Sequence, residues 1–239
     1  SREVLTRLRD VPSDLGAKKR ASFHTLIDAA LARLFGAVPG LDAVPGSLRA
    51  VRRIAASCRT TLRPPLDEEA TLVVDTLGFP PEGDDSAARL IADAVALGWR
   101  HIVAYNWRGG RFAGSGLGPA SDGVRLDLYG DVGDYAASGL DGGEVTIHGD
   151  GQDQLGQILR RGKLVVYGDV GQTFLYGAKG GEVYVRGSAA GRPLINAVGR
   201  PRVVINGTCL DYLAESFMAG DPLNGGGFAI LNGITLDES

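Results

Sequence analysis

The feature that most restricts what this chain can fold into is an internal repeat of about nineteen residues. Short strand-like segments each end at a glycine, Gly130, Gly149, Gly168, Gly187 and Gly207, spaced 19, 19, 19 and 20. The segments are Arg125-Leu126-Asp127-Leu128-Tyr129, Glu144-Val145-Thr146-Ile147-His148, Lys163-Leu164-Val165-Val166-Tyr167, Glu182-Val183-Tyr184-Val185-Arg186 and Arg202-Val203-Val204-Ile205-Asn206. Two columns are apolar in every copy: Leu126, Val145, Leu164, Val183 and Val203, then Leu128, Ile147, Val166, Val185 and Ile205. Residues two apart on a strand share a face, so both columns point to one interior, and the charged residue that leads each strand faces solvent. A single copy cannot bury its own apolar face; parallel copies stacked about 4.8 Å apart can. The expected architecture is mainly β, a right-handed parallel β-helix with coils of about nineteen residues.

Glycine use supports the same division of the chain. Of 36 glycines, 29 lie between Gly109 and Gly233. Corners such as Gly130-Asp131-Val132-Gly133 and Gly168-Asp169-Val170-Gly171, and the pairs Gly142-Gly143 and Gly180-Gly181, are expected to need positive φ, which glycine reaches without steric cost. The last copy is longer, 26 residues from Gly207 to Gly233, which places an insertion over Asp211 to Gly227. Insertions in solenoids collect on one face. Tyr212, Phe217 and Met218 in this stretch are types enriched in interface cores, and mark a candidate partner surface or end cap.

Three segments precede or make up this array: a helical segment over 1–65, a β-α-β lead-in over 66–120, and the β-helix with its C-terminal cap over 121–239. Leu26, Ile27, Ala30, Leu31, Leu34 and Phe35 recur at helical spacing up to Gly36. A second helix is expected from Ser47 to Cys58, with Leu48, Val51, Ile54 and Ala55 on one face. Thr71–Asp75 and His101–Tyr105 read as parallel strands flanking a helix capped by Asp84 or Asp85 and ended by Gly98. Residues 1–63 carry twelve basic and five acidic side chains, against thirteen and 23 in the remainder. The basic residues Lys18, Lys19, Arg20, Arg49, Arg52 and Arg53 fit either solvated helix faces or a protein-docking surface. No aromatic interleaving accompanies them, so nucleic acid is not an expected partner.

Enzyme chemistry is hard to find in this sequence. Gly78-Phe79-Pro80-Pro81-Glu82-Gly83 is not GxGxxG, and its prolines remove donors a phosphate would need. Gly114-Ser115-Gly116-Leu117-Gly118 has a GxGxG spacing with no following helix. His24, His101 and His148 share no local motif, and His148 is expected at the surface. Asp131, Asp150 and Asp169 read as turn residues bonding their own backbone rather than as calcium ligands. Two cysteines, Cys58 and Cys209, cannot form a four-cysteine cluster. No catalytic, cofactor-binding or metal residue is therefore expected on this chain. A rival reading is a stand-alone enzyme with a site at the β-α-β cleft, using Asp75, Tyr105, Arg108 and Arg111 near strand ends. No apolar run reaches membrane-span length and no signal-peptide core is evident, so the cytoplasm is the expected location and no membrane partner is expected.

The repeats Gly-Asp-Val-Gly…Gly-Gly-Glu-Val at 130–145 and 168–183 resemble the GXGXG domain at the C-terminus of glutamate synthase large subunits. The lead-in, with Val74-Asp75-Thr76-Leu77-Gly78 and Asn106-Trp107-Arg108-Gly109-Gly110-Arg111-Phe112, resembles that of free-standing copies. The resemblance spans roughly residues 70–233. It implies a right-handed β-helix acting as a non-catalytic scaffold subunit that braces catalytic chains. FMN and an iron–sulfur cluster would sit on a glutamate-synthase-like partner, with a class II glutamine amidotransferase as a possible further subunit. The same scaffold in a different multi-subunit flavin or iron–sulfur complex is the alternative it leaves open.

Overall fold

A computed structural model describes residues 2–11, 20–43 and 50–233. Its main feature is one sheet of nine strands, all parallel, whose spatial order is their order in sequence. The strands are β1 (Val51–Ala55), β2 (Thr71–Asp75), β3 (His101–Arg108), β4 (Arg125–Asp131), β5 (Asp141–His148), β6 (Arg161–Val166), β7 (Glu182–Val185), β8 (Arg202–Ile205) and β9 (Phe228–Leu231). Among the described residues three α-helices accompany them: α1 (Arg2–Asp10), α2 (Arg20–Gly36) and α3 (Ala87–Ala96).

The two apolar columns are in register across β4 to β8, with Leu126, Val145, Leu164, Val183 and Val203 on one rung line and Leu128, Ile147, Val166, Val185 and Ile205 on the other. The ladder also extends beyond the repeat in both directions. Leu72 and Ile102 continue the first column toward the N-terminus, Val74 and Ala104 the second, and Ala229 and Leu231 extend them to β9. The columns from Leu72 to Val203 and from Ile54 to Ile205 are buried in one continuous core. The β-α-β segment is thus part of the stack, which begins one strand earlier at β1.

Successive copies also touch along the connections. A second line of parallel bridges links Val132, Gly151, Val170, Ala189 and Cys209. Farther round, Gly156 N–H donates to Ala136 O, Leu175 to Leu155 O and Leu194 to Phe174 O, each across one copy. Three alternate positions per connection take left-handed φ: Tyr135, Ala137 and Gly139, then Gln154, Gly156 and Ile158, then Thr173, Leu175 and Gly177. Most of these are not glycine. Among the strand-end glycines, Gly130 has positive φ, but Gly168 and Gly171 at the matching corner do not. The strand-end glycines serve close approach instead. A Cβ on Gly168 would stand 2.5 Å from Gly149 O, and one on Gly207 2.5 Å from Gly187 O. Positive φ is found where expected at Gly130, Gly142, Gly143 and Gly181, whereas Gly133, Gly168, Gly171 and Gly180 lack it; at Gly168 and Gly207 a small residue is needed because backbones stack there.

The N-terminal region departs from expectation in other ways. Residues 51–55 form β1 rather than part of a helix, followed by a 3-10 turn over Ala56–Thr61; Ser47 and Leu48 lie outside the described residues. Arg52 occupies the inward column and is 2% exposed, paired with Glu69 at 2.7 Å. Arg63 reaches the same carboxylate at 2.6 Å, and the hydrogen bond from Arg63 lowers the Glu69 pKa from 4.5 to about 2. The first turn of the core is thus plugged by a buried ion cluster. Pro39 to Leu41 run along β1 and bond Arg53 on both sides, covering that sheet edge. α3 packs into the main core through Leu90, Ile91, Ala94 and Val95, and its N-cap is Ser86, which accepts from Arg89 N–H at 3.2 Å, rather than Asp84 or Asp85. α2 lies on the opposite, outward face, where Ile27, Leu31 and Phe35 cover Val73, Val103, Tyr105 and Tyr129.

Candidate functional site

The outward face over β2 to β5 gathers most of the polar chemistry, and α1 closes over it. Strand alternation points Asp127, Tyr129 and His148 outward, because Leu126, Leu128 and Ile147 occupy the core. Asp127 is the hub. Its Oδ2 meets Arg2 at 2.6 Å and His101 Nε2 at 3.1 Å, and its Oδ1 meets His148 Nε2 at 3.4 Å. His148 Nδ1 lies 2.7 Å from Asp10 Oδ2 at the end of α1, and the Tyr129 hydroxyl lies 2.8 Å from Thr6 Oγ1. The His148 ring stacks between Tyr129 and Tyr167, at centroid distances of 4.2 and 5.4 Å. A cavity of about 460 Å³ opens between α1 and this face.

Electrostatics here follow the contacts. Burial works against the Asp127 carboxylate, but hydrogen bonds from His101 and His148 and the Arg2 charge hold its pKa well below the usual carboxylate range. Burial also works against charge on His148, yet Asp10 and Asp127 raise its pKa above the ordinary value. Sequence reading placed His148 at the surface; it is 4% exposed. The missed signal lay in the alignment of copies, where Tyr129, His148 and Tyr167 form an aromatic column. What could not be read was that α1 lies over it. The same holds for the basic excess of residues 1–63. Arg2 pairs with Asp127, Arg53 with Asp75, Arg59 with Asp85 and Arg63 with Glu69, so much of it is matched within the chain. Lys18, Lys19 and Arg49 lie outside the described residues, as does the Arg20 side chain.

The β-α-β cleft brings together some of its named residues. Asp75 accepts from the Tyr105 hydroxyl at 2.8 Å and from Asn106 Nδ2 at 2.9 Å. Burial and the Asp75 charge push the Tyr105 hydroxyl pKa far upward, which suits a structural donor and not a general acid near neutrality. Asn106 takes left-handed φ at a bulge where β3 gains one residue on β4. Arg108 and Arg111 do not join Asp75: Arg111 bonds Glu82 at 2.7 Å, pairs with Asp134 at 3.3 Å and lies over Phe112 and Tyr135. Among the described residues, no group of three or more His, Cys, Asp or Glu could hold a metal ion. No helix among them is long and apolar enough to cross a membrane.

The acidic ladder is structural, though not as turns. Asp131 accepts from the backbone N–H of Asp150, Asp150 from that of Asp169, and Asp169 from that of Ser188, at 2.7 to 3.0 Å. Each carboxylate bonds the next copy rather than its own backbone. Farther along, Tyr212, Ala214 and Ser216 repeat the left-handed positions of Arg192, Leu194 and Asn196, so Asp211 to Met218 is an ordinary copy. The six added residues fall in the corner between Met218 and β9, around the 3-10 turn Pro222–Asn224. Tyr212 and Met218 are exposed at 56% and 68%, with Leu210 beside them; Phe217 instead packs against the core.

A protein-family model described as "GXGXG motif" matches residues 101–233, more than half of the chain. No curated protein and no solved structure matches the chain.

Proposed function

Given that this chain belongs to the GXGXG motif family, the C-terminal domain family of glutamate synthase alpha subunits, we propose that it is a non-catalytic scaffold subunit of a glutamate-synthase-like oxidoreductase. In this reading the nine-strand stack is one right-handed parallel β-helix, and its role is to brace catalytic partner chains. FMN and an iron–sulfur cluster belong to a partner, and a class II glutamine amidotransferase completes the assembly. The chain's two cysteines, after β1 and β8, suit no four-cysteine cluster.

The observation that carries the proposal is the filled interior. Both inward columns run through the stack as closely packed side chains, and outside it Asp75, Asp127 and Asp150 are bonded to Tyr, Arg or backbone partners. Such an arrangement supports rigidity and leaves the outer surface for contacts, with Tyr212 and Met218 as the proposed partner surface. Affinity purification of the tagged chain from its native cells, with mass spectrometry and an absorbance spectrum, tests this. Recovery of a flavin-coloured synthase with an amidotransferase is expected. Flavin or iron–sulfur partners without an amidotransferase would move the scaffold to another redox complex. A lone, colourless chain would overturn the reading, and flavin absorbance on the purified subunit itself would overturn its non-catalytic part.

A further inference from the structure

His148 closes β5 and is bonded on both sides by carboxylates from different elements, Asp10 on α1 at 2.7 Å and Asp127 on β4 at 3.4 Å. An ionised carboxylate only accepts hydrogen bonds. Both contacts are therefore hydrogen bonds only when both ring nitrogens carry hydrogen, which is the imidazolium. A neutral ring presents a lone pair to one carboxylate. Asp127 keeps Arg2 and His101 on its Oδ2, so the loss weighs on the bridge and on Asp10, whose Oδ1 is already buried without a partner.

We propose that His148 is a proton-operated latch for α1: charged, it bridges Asp10 to Asp127 and holds the helix on the sheet; neutral, it lets the helix go. Around the ring, α1 contributes Asp10 with Arg2, Glu3 and Arg7 beside the same cavity. The strands contribute His101, Arg125, Asp127, Tyr129, Glu144 and Tyr167, and Arg186 donates to the Asp10 carbonyl. Hydrogen bonds from His101 and His148 and the Arg2 charge hold Asp127 ionised, so the bridge from Asp127 to Asp10 depends on the proton that His148 carries.

The sign follows from linkage. The His148 pKa is raised above its ordinary 6.5 in the folded chain. Its contribution to docking is whole below about pH 6.5 and is lost as pH rises through the folded value. Release of α1 would uncover the His148–Tyr167 pair, Tyr129 staying against Phe35 of α2, and join it to the outward residues Val165, Tyr184 and Val204 of the following strands.

Hydrogen exchange on the full chain alone, followed from about pH 6 to about pH 9.5 and corrected for intrinsic rates, reads the latch. The amides of Thr6 to Asp10 are expected to lose about tenfold or more of their protection across that range, while those of β7 and β8 stay constant. His148→Phe keeps a ring between the two tyrosines and removes both N–H groups; its α1 should exchange fast at every pH. A parallel NMR titration of the wild-type imidazole should give a midpoint above 6.5. Constant α1 protection in the wild type, a pH response that survives in His148→Phe, or a midpoint at or below 6.5 would each overturn the proposal. Should the variant fail to fold, the wild-type exchange and titration decide alone.

Discussion

The first five strands and the last four share the same inward columns but differ on their outward face. Over β2 and β3, Val73 and Val103 are sealed beneath α2, and over β4 and β5 the polar cluster of Asp127, Tyr129 and His148 sits beneath α1. Over β6 to β9 the corresponding outward residues are Val165, Tyr184, Val204 and Ile230, with no α-helix laid on them among the described residues. The repeat thus dictates only the inner face. The outer face is set by what is appended, and the appended N-terminal segment treats half of it as core.

Substitutions can break this comparison at different depths. The largest effect is expected where copies stack on backbone. Gly168→Val places a branched side chain against Gly149 O and should cost more than about 4 kcal/mol, read as loss of the folded state or a steep fall in Tm. Opening the N-terminal plug comes next. Glu69→Gln leaves Arg52 charged, buried and unpaired by carboxylate, at about 3 kcal/mol in chemical denaturation. In the unaltered protein the Glu69 contribution is complete above about pH 4.5 and is lost as pH falls toward about 2, because the folded pKa is the lower one. An acid-denaturation curve of Glu69→Gln should therefore be flatter than that of the wild type.

Leu31→Ala separates the two regions directly. It removes a buried side chain from the α2 seal and should cost about 2–3 kcal/mol, with exchange rising in α2 while β6 to β8 keep their protection. Asp169→Ala deletes one inter-copy acceptor and should cost about 1 kcal/mol in denaturant titration. Ile230→Ser, on the uncovered half, should stay within about 0.5 kcal/mol of the wild type in thermal melts. A large loss there would mean that the last four strands also bury their outward face, and the contrast between the halves would fall.

How much of this was legible in the sequence differs between the same two halves. From Leu126 to Ile205 the register, the inward columns and the parallel order follow from period-2 alternation repeated at constant spacing. Before Leu126 the same ladder is hidden by chemistry. β1 carries Arg52 where the column calls for an apolar residue, so Val51, Ile54 and Ala55 matched a helical period better than a strand. The spacing also lengthens there, because α3 and the loop around Gly78 separate β2 from β3. At the candidate site, Asp75 with Tyr105 was visible as two strand ends. The Asp10–His148–Asp127 bridge was not, since it joins positions 10, 127 and 148 through a helix whose docking no local pattern encodes.

The glycine line through Gly130, Gly149, Gly168, Gly187 and Gly207 has one more consequence, which concerns distance. Because each copy rests on the backbone of the one before, the rise per copy is fixed at about 4.8 Å and cannot be tuned by side-chain choice. Eight such steps separate β1 from β9, so the chain is a ruler of about 38 Å graduated in whole copies. Gaining or losing one copy would shift whatever is attached beyond it by one graduation and turn it by the small rotation that each copy adds.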